Sequence, residues 1–236
     1  DGEYSLCIRA SVVRESSHHL PHHWSAAGMT RILILCLILL VSIACGSIKT
    51  PPDMWTVSFK TSLPAPDSTF TLEINRTACP IGADHFYQLV TNGGINNTTG
   101  SYFADSAFFR VLPGFVVQFG IAGEPALSSY WEQFVLEDDP VVLSNTIGTI
   151  AYATGGPNTR TTQVFINYGD NSRLDALGFA PFGRVVSGMS SVIEKIVSQY
   201  SQDPDQSEIY AQGNSYLKKN FPNLTYIDST SVQSVM

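Results

Sequence analysis

Histidine and cysteine, the side chains that most often bind zinc, are scarce along most of this 236-residue chain. The clustered histidines and most of the cysteines lie in its first 46 residues: His18, His19, His22, His23, Cys7, Cys36 and Cys45. After residue 46, only His85 and Cys79 remain. Because a zinc site needs several such ligands and a disulfide needs two cysteines, neither is predicted there, and no cofactor is expected. A Ser-His-Asp or Cys-His arrangement would have to use His85, which we expect on a helix surface instead.

Two further motifs could suggest ligand binding but are assigned to loops. The segment Gly155-Gly156-Pro157 lacks the lysine and the following helix of a phosphate-binding loop, so a turn is favoured. The acidic run 137–139 lacks the alternation of calcium ligands, so a solvated loop is favoured. What remains is Phe108-Phe109-Arg110, followed by Pro113-Gly114-Phe115. An arginine on a strand usually lies on a solvated face, but this apolar setting favours a role in a site.

The elements that must position these residues are mainly strands. Alternation of apolar and polar residues, with turns rich in Gly, Pro and Asn, predicts seven short strands: residues 55–60, 70–75, 107–112, 115–119, 148–153, 163–167 and 180–186. This pattern is typical of a β-barrel or a β-sandwich. One helix is predicted from Pro80 to the glycine pair 93–94, and a second over residues 188–200. A third helix is predicted with Asp203 as its cap and Pro204 at its first position.

The composition supports one folded domain and argues against nucleic acid as a partner. Apolar residues make up 44% of the chain and charged residues 14%, which excludes a disordered polyampholyte and a coiled coil. The net charge of −7 repels phosphate polymers, and no basic block offsets it. Without repeats or low-complexity linkers, residues 47–236 are predicted to form a single domain, and we expect a monomer.

The segment from Met29 to Gly46 has the three parts of a secretory signal peptide. A charged residue is followed by ten uninterrupted apolar residues and then by a run of small residues. The apolar run is shorter than the about 20 residues of a membrane-spanning helix, so no stable span is expected after cleavage. We expect cleavage within residues 44–46 and a non-native upstream segment at residues 1–28. A lipid anchor on Cys45 is the alternative.

Glycosylation sequons agree with passage through the secretory pathway. Four asparagines are candidates: Asn75, Asn96, Asn97 and Asn223. The final residues Ser-Val-Gln-Ser-Val-Met do not form an ER-retention signal. We therefore expect a secreted protein rather than a resident of the ER lumen.

Several motifs, taken in order, resemble those of the cyclophilins, which are peptidyl-prolyl cis-trans isomerases. They are the stretch from Phe108 to Gln118, then Gly155-Gly-Pro-Asn-Thr159, Gln163-Val-Phe-Ile166 and Phe182-Gly183. The likeness extends from about Trp55 to Tyr200 and looks closer to a larger bacterial-like and organellar branch. It implies a mainly β fold, a closed eight-stranded antiparallel β-barrel with two covering helices. Residues 201–236 would then be a C-terminal helical extension.

The chemistry of prolyl isomerisation needs no nucleophile. Rotation about an X-Pro amide meets a barrier of about 18–20 kcal/mol, because the nitrogen lone pair is delocalised into the carbonyl. A twisted amide has a pyramidal nitrogen that can accept a hydrogen bond. A fixed cation aimed at the prolyl amide, beside an apolar wall that holds the ring, is therefore the natural catalyst.

The resemblance assigns these parts to individual residues. It gives Arg110 the catalytic role and Gln118 the orientation of that arginine. The implied substrates are proline-containing peptides or unfolded proteins, whose folding the enzyme would assist. The implied substrate-binding residues are Phe115, Val116, Ala153, Thr154, Gln163, Phe165, Leu174 and Phe179. On the residues alone, the apolar members could equally fill the barrel interior, and Gln118 could be a surface amide.

Three positions depart from the family pattern. Val116 stands where methionine is common, and Phe179 stands where histidine is usual. Arg173 occupies the position of a tryptophan that helps bind cyclosporin, which puts cyclosporin binding in doubt. The alternative function is a module on the same barrel that binds proline-containing segments without catalysis; a lectin-like or carrier barrel is weaker, since no residues for such a site are found.

Overall fold

The computed structural model describes residues 50–94 and 100–233. Its eight strands are Met54–Thr61 (β1), Thr69–Asn75 (β2), Arg110–Leu112 (β3), Val116–Phe119 (β4), Thr149–Tyr152 (β5), Val164–Asn167 (β6), Pro181–Ser187 (β7) and Ile227–Gln233 (β8). They form one antiparallel sheet in the order β3-β4-β6-β5-β7-β2-β1-β8. The predicted mainly β fold is confirmed, and each of the seven predicted strands overlaps an observed one.

The expected closed barrel is not confirmed, because the curled sheet stays open between its two end strands. No ladder joins β3 to β8 within the described residues. The contact between them is an isolated bridge that pairs Ala107, just before β3, with Tyr226, just before β8. A backbone hydrogen bond of 3.0 Å from Phe108 N to Thr225 O accompanies it. On that edge, β3 bonds to a turn instead: Val111 N donates to Ser201 O over 2.9 Å.

The main core forms because β1 and β2 alternate strictly. Every second side chain of both strands is fully buried: Trp55, Val57, Phe59, Phe70, Leu72 and Ile74. Phe59 and Phe70 are cross-strand partners, and their ring centroids lie 5.1 Å apart. Helix α1, Pro80–Thr91, covers this layer with Phe86 and Leu89. Such aromatic pairs stabilise a sheet beyond the area that they bury.

His85 on α1 is buried rather than on the surface, so that expectation is wrong. Only 8% of the residue is exposed, and its ring packs edge-on against Trp131, with 5.5 Å between centroids. Trp131 ends helix α2, Pro125–Trp131, an element that the sequence analysis did not predict. Burial lowers the pKa of His85 to about 4.

The acidic run is also only partly solvated. Asp139 is 5% exposed and pairs with the buried Arg160 over 3.1 Å. Its Oδ2 also accepts hydrogen bonds from Gly82 N and from the Cys79 thiol. Burial raises the pKa of Cys79 to about 12, which leaves this thiol unreactive. Asp139 thus ties the start of α1 to the segment that follows α2.

The predicted helix over residues 188–200 is wrong. Only Ile193–Lys195 forms a short 3-10 helix, and Ile196 is already extended, with ψ of 133°. The amides of Val192 and Ile193 both donate to Gly188 O. Serine and β-branched residues dominate this segment, and both have weak helix propensity. Val192, Ile193 and Ile196 are nevertheless buried in the main core.

The C-terminal segment contains more than the predicted helix. Helix α3 spans Gln206–Gln212 and is capped by Asp205 rather than Asp203, because the Asp205 carboxylate accepts from the amides of Ser207 and Glu208. Helix α4 spans Asn214–Asn220, and β8 then pairs with β1. The extension is therefore not purely helical: its last element completes the sheet. An apolar cluster that includes Phe109, Ile209 and Leu217 attaches it to the fold.

The predicted signal segment and two of the four candidate glycosylation sites lie outside the described residues, whereas the other two sites lie within them. The signal segment, residues 1–28, Asn96 and Asn97 lie outside the described residues. Asn223 is exposed in a turn, whereas Asn75 ends β2 and its Oδ1 accepts a hydrogen bond from Thr77. Within the described ranges, no group of His, Cys, Asp and Glu could hold a metal ion, and no helix has the length and apolar character of a membrane span.

Candidate active site

A cavity of about 280 Å³ brings together nine of the ten residues that the sequence analysis selected. Its lining consists of Arg110, Phe115, Val116, Gln118, Ala153, Thr154, Phe165, Leu174, Phe179 and Gln206. The tenth selected residue, Gln163, lines a second cavity of about 440 Å³. The two cavities share Gln118, Ala153, Thr154 and Gln206, so they adjoin.

Strand register places the key side chains in one row. Arg110 on β3 lies opposite Gln118 on β4, and Gln118 lies opposite Phe165 on β6. Phe165 in turn pairs with Ala151 on β5. Because directly opposite residues of adjacent strands point to the same face, the register of these four strands assembles this row.

Arg110 carries a positive charge that no carboxylate neutralises within the described part of the chain. Its Nη1 donates to Gln118 Oε1 over 3.2 Å, and its Cζ lies 5.7 Å from the centre of the Phe115 ring. Arg110 is absent from the ion pairs found among residues 50–94 and 100–233. Partial burial lowers its pKa, but an arginine starts so far above neutrality that the guanidinium stays charged.

An apolar wall stands beside this cation. Val116, Phe165 and Leu174 are buried together with Ala151 in a cluster separate from the main core. Phe179 packs edge-on against Phe165, with 5.7 Å between ring centroids. Phe179 also lines the cavity. Such a slot suits an apolar ring of the size of proline.

The segment that carries Leu174 and Phe179 is held by amides that the sequence analysis did not assign to the site. Asn145 Nδ2 donates to Asp175 Oδ1 over 2.7 Å and to Phe179 O over 2.8 Å. Asn171 Nδ2 donates to Phe115 O over 2.8 Å. Burial acts to raise the pKa of Asp175, but the hydrogen bonds from Ser144 and Asn145 outweigh it and lower that pKa. The charged Asp175 carboxylate therefore accepts these hydrogen bonds and holds the segment 171–179 in place.

Arg173 lies at the rim of the site. It is exposed, and its Cζ lies 5.0 Å from the centre of the Phe115 ring, within the range of a cation–π contact. Phe115 thus contacts two guanidinium groups, those of Arg110 and Arg173.

The second cavity has a polar lining. Its wall includes the turn after Thr154, as predicted for Gly155-Gly156-Pro157, where Thr159 Oγ1 accepts from Gly155 N over 3.0 Å. Glu132, at the end of α2, also lines it. Such polar groups can form hydrogen bonds with a peptide backbone.

Two residues of α3, Gln206 and Tyr210, belong to the site and were missed. Gln163 Nε2 donates to Gln206 Oε1 over 3.1 Å and to Tyr210 Oη over 3.0 Å. Burial and the neighbouring Glu132 raise the pKa of Tyr210, so its hydroxyl stays protonated. No local sequence pattern predicts these contacts. Helix α3 follows Gln163 by about 40 residues, and its polar residues are typical of a face exposed to solvent.

Sequence comparison agrees with this geometry. The family of cyclophilin-type peptidyl-prolyl cis-trans isomerases matches residues 56–212, which is more than half of the chain. The chain belongs to this family. The prediction of a cyclophilin-type isomerase is therefore confirmed, although the individual roles of the site residues stay predictions.

Relatives in bacteria and fungi support the same assignment. A peptidyl-prolyl cis-trans isomerase of Acinetobacter baylyi is 33% identical over 147 residues, which cover 60% of this chain and 71% of that protein. A peptidyl-prolyl cis-trans isomerase-like 1 of Aspergillus fumigatus is 32% identical over 158 residues, or 65% and 89% of the two chains. The crystal structure of a Cryptosporidium parvum cyclophilin has a TM-score of 0.53 at 19% identity, covering 78% of this chain and 99% of that one. This structure supports the fold alone.

Proposed function

We propose that the protein accelerates cis-trans isomerisation of X-Pro peptide bonds, with Arg110 as the catalytic residue. The observation that carries this proposal is an unneutralised guanidinium, held by Gln118 at the edge of an apolar slot. As the prolyl amide twists, its nitrogen lone pair localises, and Arg110 donates a hydrogen bond to the amide. No covalent bond breaks and no proton is transferred, so neither a cofactor nor a base enters the mechanism.

The size of this effect fits one arginine with help from binding. A charge-assisted hydrogen bond contributes about 1.5–3 kcal/mol, and each tenfold in rate needs about 1.4 kcal/mol. Arg110 therefore supplies one or two decades of acceleration. The rest comes from binding the substrate already twisted, with the proline ring against Val116, Phe165 and Leu174. Burial of each ring methylene contributes about 0.8 kcal/mol to that binding.

An X-Pro peptide assay tests the proposal. The variant Arg110→Ala is expected to lower kcat/KM about a hundredfold, or about 2.7 kcal/mol. Arg184→Ala is the matched control, because Arg184 is exposed on β7 and pairs with Glu73 away from the cavity. If the wild type binds the peptide without accelerating isomerisation, the binding-module function replaces the enzymatic one.

We propose that the protein acts in the secretory pathway or outside the cell, as a monomer and a glycoprotein. The signal-like segment at residues 29–46 and the sequons support this location. Expression of the full chain in secreting eukaryotic cells tests it. We expect a medium-borne product that begins between Cys45 and Ser47 and shrinks on glycosidase treatment. A cell-retained product with Met29 still attached would contradict the proposal, and gel filtration would check the monomer.

We also propose weak binding of cyclosporin, because an exposed arginine replaces an aromatic ring at the rim. In a fluorescence titration, Arg173→Trp is expected to tighten cyclosporin binding at least about tenfold, by about 1.4 kcal/mol. The control Arg173→Lys keeps the charge and should bind as weakly as the wild type. Equal affinity of all three forms would disprove a role for this position.

A further inference from the structure

A continuous chain of hydrogen bonds runs from the catalytic arginine to a carboxylate on another element. Arg110 Nη1 donates to Gln118 Oε1, and Gln118 Nε2 donates to Gln163 Oε1 over 2.7 Å. Gln163 Nε2 donates to Tyr210 Oη, which donates to Glu132 Oε1 over 2.7 Å. The chain thus joins β3, β4, the residue before β6, α3 and the end of α2.

The two charged ends determine the direction of every bond between them. The Arg110 guanidinium can only donate, and the Glu132 carboxylate can only accept. Because Tyr210 must donate its single proton to Glu132, its oxygen is left to accept from the Gln163 amide. Gln163 then presents its oxygen to Gln118, and Gln118 presents its own oxygen to Arg110. A carboxamide is nearly symmetric in shape, so sterics alone would not select these orientations.

We propose that Glu132 and Tyr210 are positioning residues that orient Gln118, and through it Arg110, for isomerisation. This inference rests on the proposed function. Without the Tyr210 hydroxyl or the Glu132 charge, the side-chain amides of Gln163 and Gln118 can flip, which exchanges the positions of their oxygen and nitrogen atoms. A turned Gln118 would point its NH2 group at the guanidinium, which has no lone pair to accept it, and Arg110 would leave its position.

The other partner of Gln163 does not replace Tyr210 in this role. Gln206 is exposed, and its carboxamide can present either oxygen or nitrogen to Gln163. Tyr210 is half-buried and is held by Glu132, which also accepts from Thr161 Oγ1 over 3.1 Å. The C-terminal extension therefore contributes to the site not only by packing but also by determining which atoms donate and which accept along the hydrogen-bond chain.

Steady-state kinetics on an X-Pro peptide with the full chain test this inference. Tyr210→Phe removes only the hydroxyl and Glu132→Gln removes only the charge, so each variant keeps the shape of the side chain. We expect both to lower kcat about threefold to tenfold with KM nearly unchanged, as expected for coupled residues of one network. The control Tyr216→Phe removes a hydroxyl of the same extension that accepts from Asp205 N and contacts neither cavity, so its kcat should stay at the wild-type value.

The double variant separates a positioning role from a structural one. If the two residues act in one chain, Tyr210→Phe with Glu132→Gln lowers kcat no further than the stronger single variant. Additive losses, or a lowered Tm with an unchanged kcat in both single variants, would overturn the inference. Arg110→Ala is measured in the same series. If the wild type does not accelerate isomerisation, the isomerase function is refuted. If the wild type is active, Arg110→Ala has a lowered kcat and Tyr210→Phe keeps the wild-type kcat, only this inference is refuted.

Discussion

Arg110 and Gln118 are direct cross-strand partners, and the Arg110 guanidinium donates to Gln118 Oε1 over 3.2 Å. The partner of the cation is thus a neutral amide and not a carboxylate. This choice holds the guanidinium in place while leaving its charge available to a substrate. In a partly desolvated site, a charged partner would pair with it instead.

The variant Gln118→Glu should therefore be a poor enzyme although it preserves the shape of the side chain. A carboxylate at this position would pair with Arg110 and neutralise the charge that the twisted amide needs. We expect kcat/KM to fall about tenfold to a hundredfold, or about 1.4–2.8 kcal/mol, in the X-Pro peptide assay. Gln133→Glu, which adds the same charge at an exposed position after α2, should leave the rate unchanged. An active Gln118→Glu enzyme would show that the free charge of Arg110 is not required.

Truncation of the apolar wall should weaken binding more than turnover. Leu174 is 8% exposed and lines the cavity, so Leu174→Ala removes contact with a bound proline ring. We expect KM to rise about fivefold to tenfold with a small change in kcat, since this contact exists in both the ground and transition states. Leu174 and Leu177 both lie on a short 3-10 helix, Ser172–Leu177, but Leu177 is 66% exposed, so Leu177→Ala is the control. A Leu174→Ala variant with unchanged KM would place the proline ring elsewhere.

The buried pair of Asp139 and Arg160 should be essential for stability rather than for catalysis. Asp139→Ala would leave the guanidinium of Arg160, which is 3% exposed, without its buried partner. We expect the free energy of unfolding to fall by about 3–5 kcal/mol in a urea titration. Asp138 also pairs with Arg160, but its side chain is 36% exposed, so Asp138→Ala should cost at most about 1 kcal/mol. Equal losses in the two variants would contradict the role of burial.

His85 should make the fold less stable in mild acid. The unfolded chain binds a proton at the ordinary histidine pKa of 6.5, whereas the folded protein holds that pKa at about 4 because the ring is buried. Protons therefore favour the unfolded state between these values, so stability is fully present above pH 6.5 and declines towards pH 4. The expected loss is about 3 kcal/mol for a shift of this size.

Urea unfolding at several pH values measures this effect. Other groups titrate in the same range, so the informative quantity is the difference between the wild type and His85→Gln, which does not titrate. We expect the two stability curves to converge as the pH falls from 6.5 to 4. Parallel curves would show that His85 does not couple folding to protonation.

The resemblance to the cyclophilins selected the site residues, and strand register explains why nine of them line one cavity. Arg110, Gln118 and Phe165 are opposite one another on neighbouring strands. Local alternation could not have shown this, because β4 and β6 are buried along their whole length. Neither the resemblance nor the alternation placed Tyr210 or Gln206, because their contacts depend on how a distant helix docks. The helix docks through the apolar cluster that includes Phe109 and Ile209. These residues lie about 100 positions apart, so no pattern of apolar residues along the sequence links them.

Errors in the element predictions have similar physical causes. Residues 188–200 have apolar residues at helical spacing, but serine, β-branched residues and tertiary burial favour irregular turns there. β8 was missed because only Ile227 of its residues is buried, so no alternation of apolar residues marks it. His85 was misplaced because the covering helix α2 was not predicted.

Strand β1 forms ladders on both of its edges, with β2 and with β8. During synthesis, residues 54–61 emerge long before residues 227–233, so one edge of β1 has no partner while most of the domain leaves the ribosome. Exposed edges of this kind promote pairing with other chains. Until residues 227–233 have been translated, that edge therefore stays available for pairing with other chains.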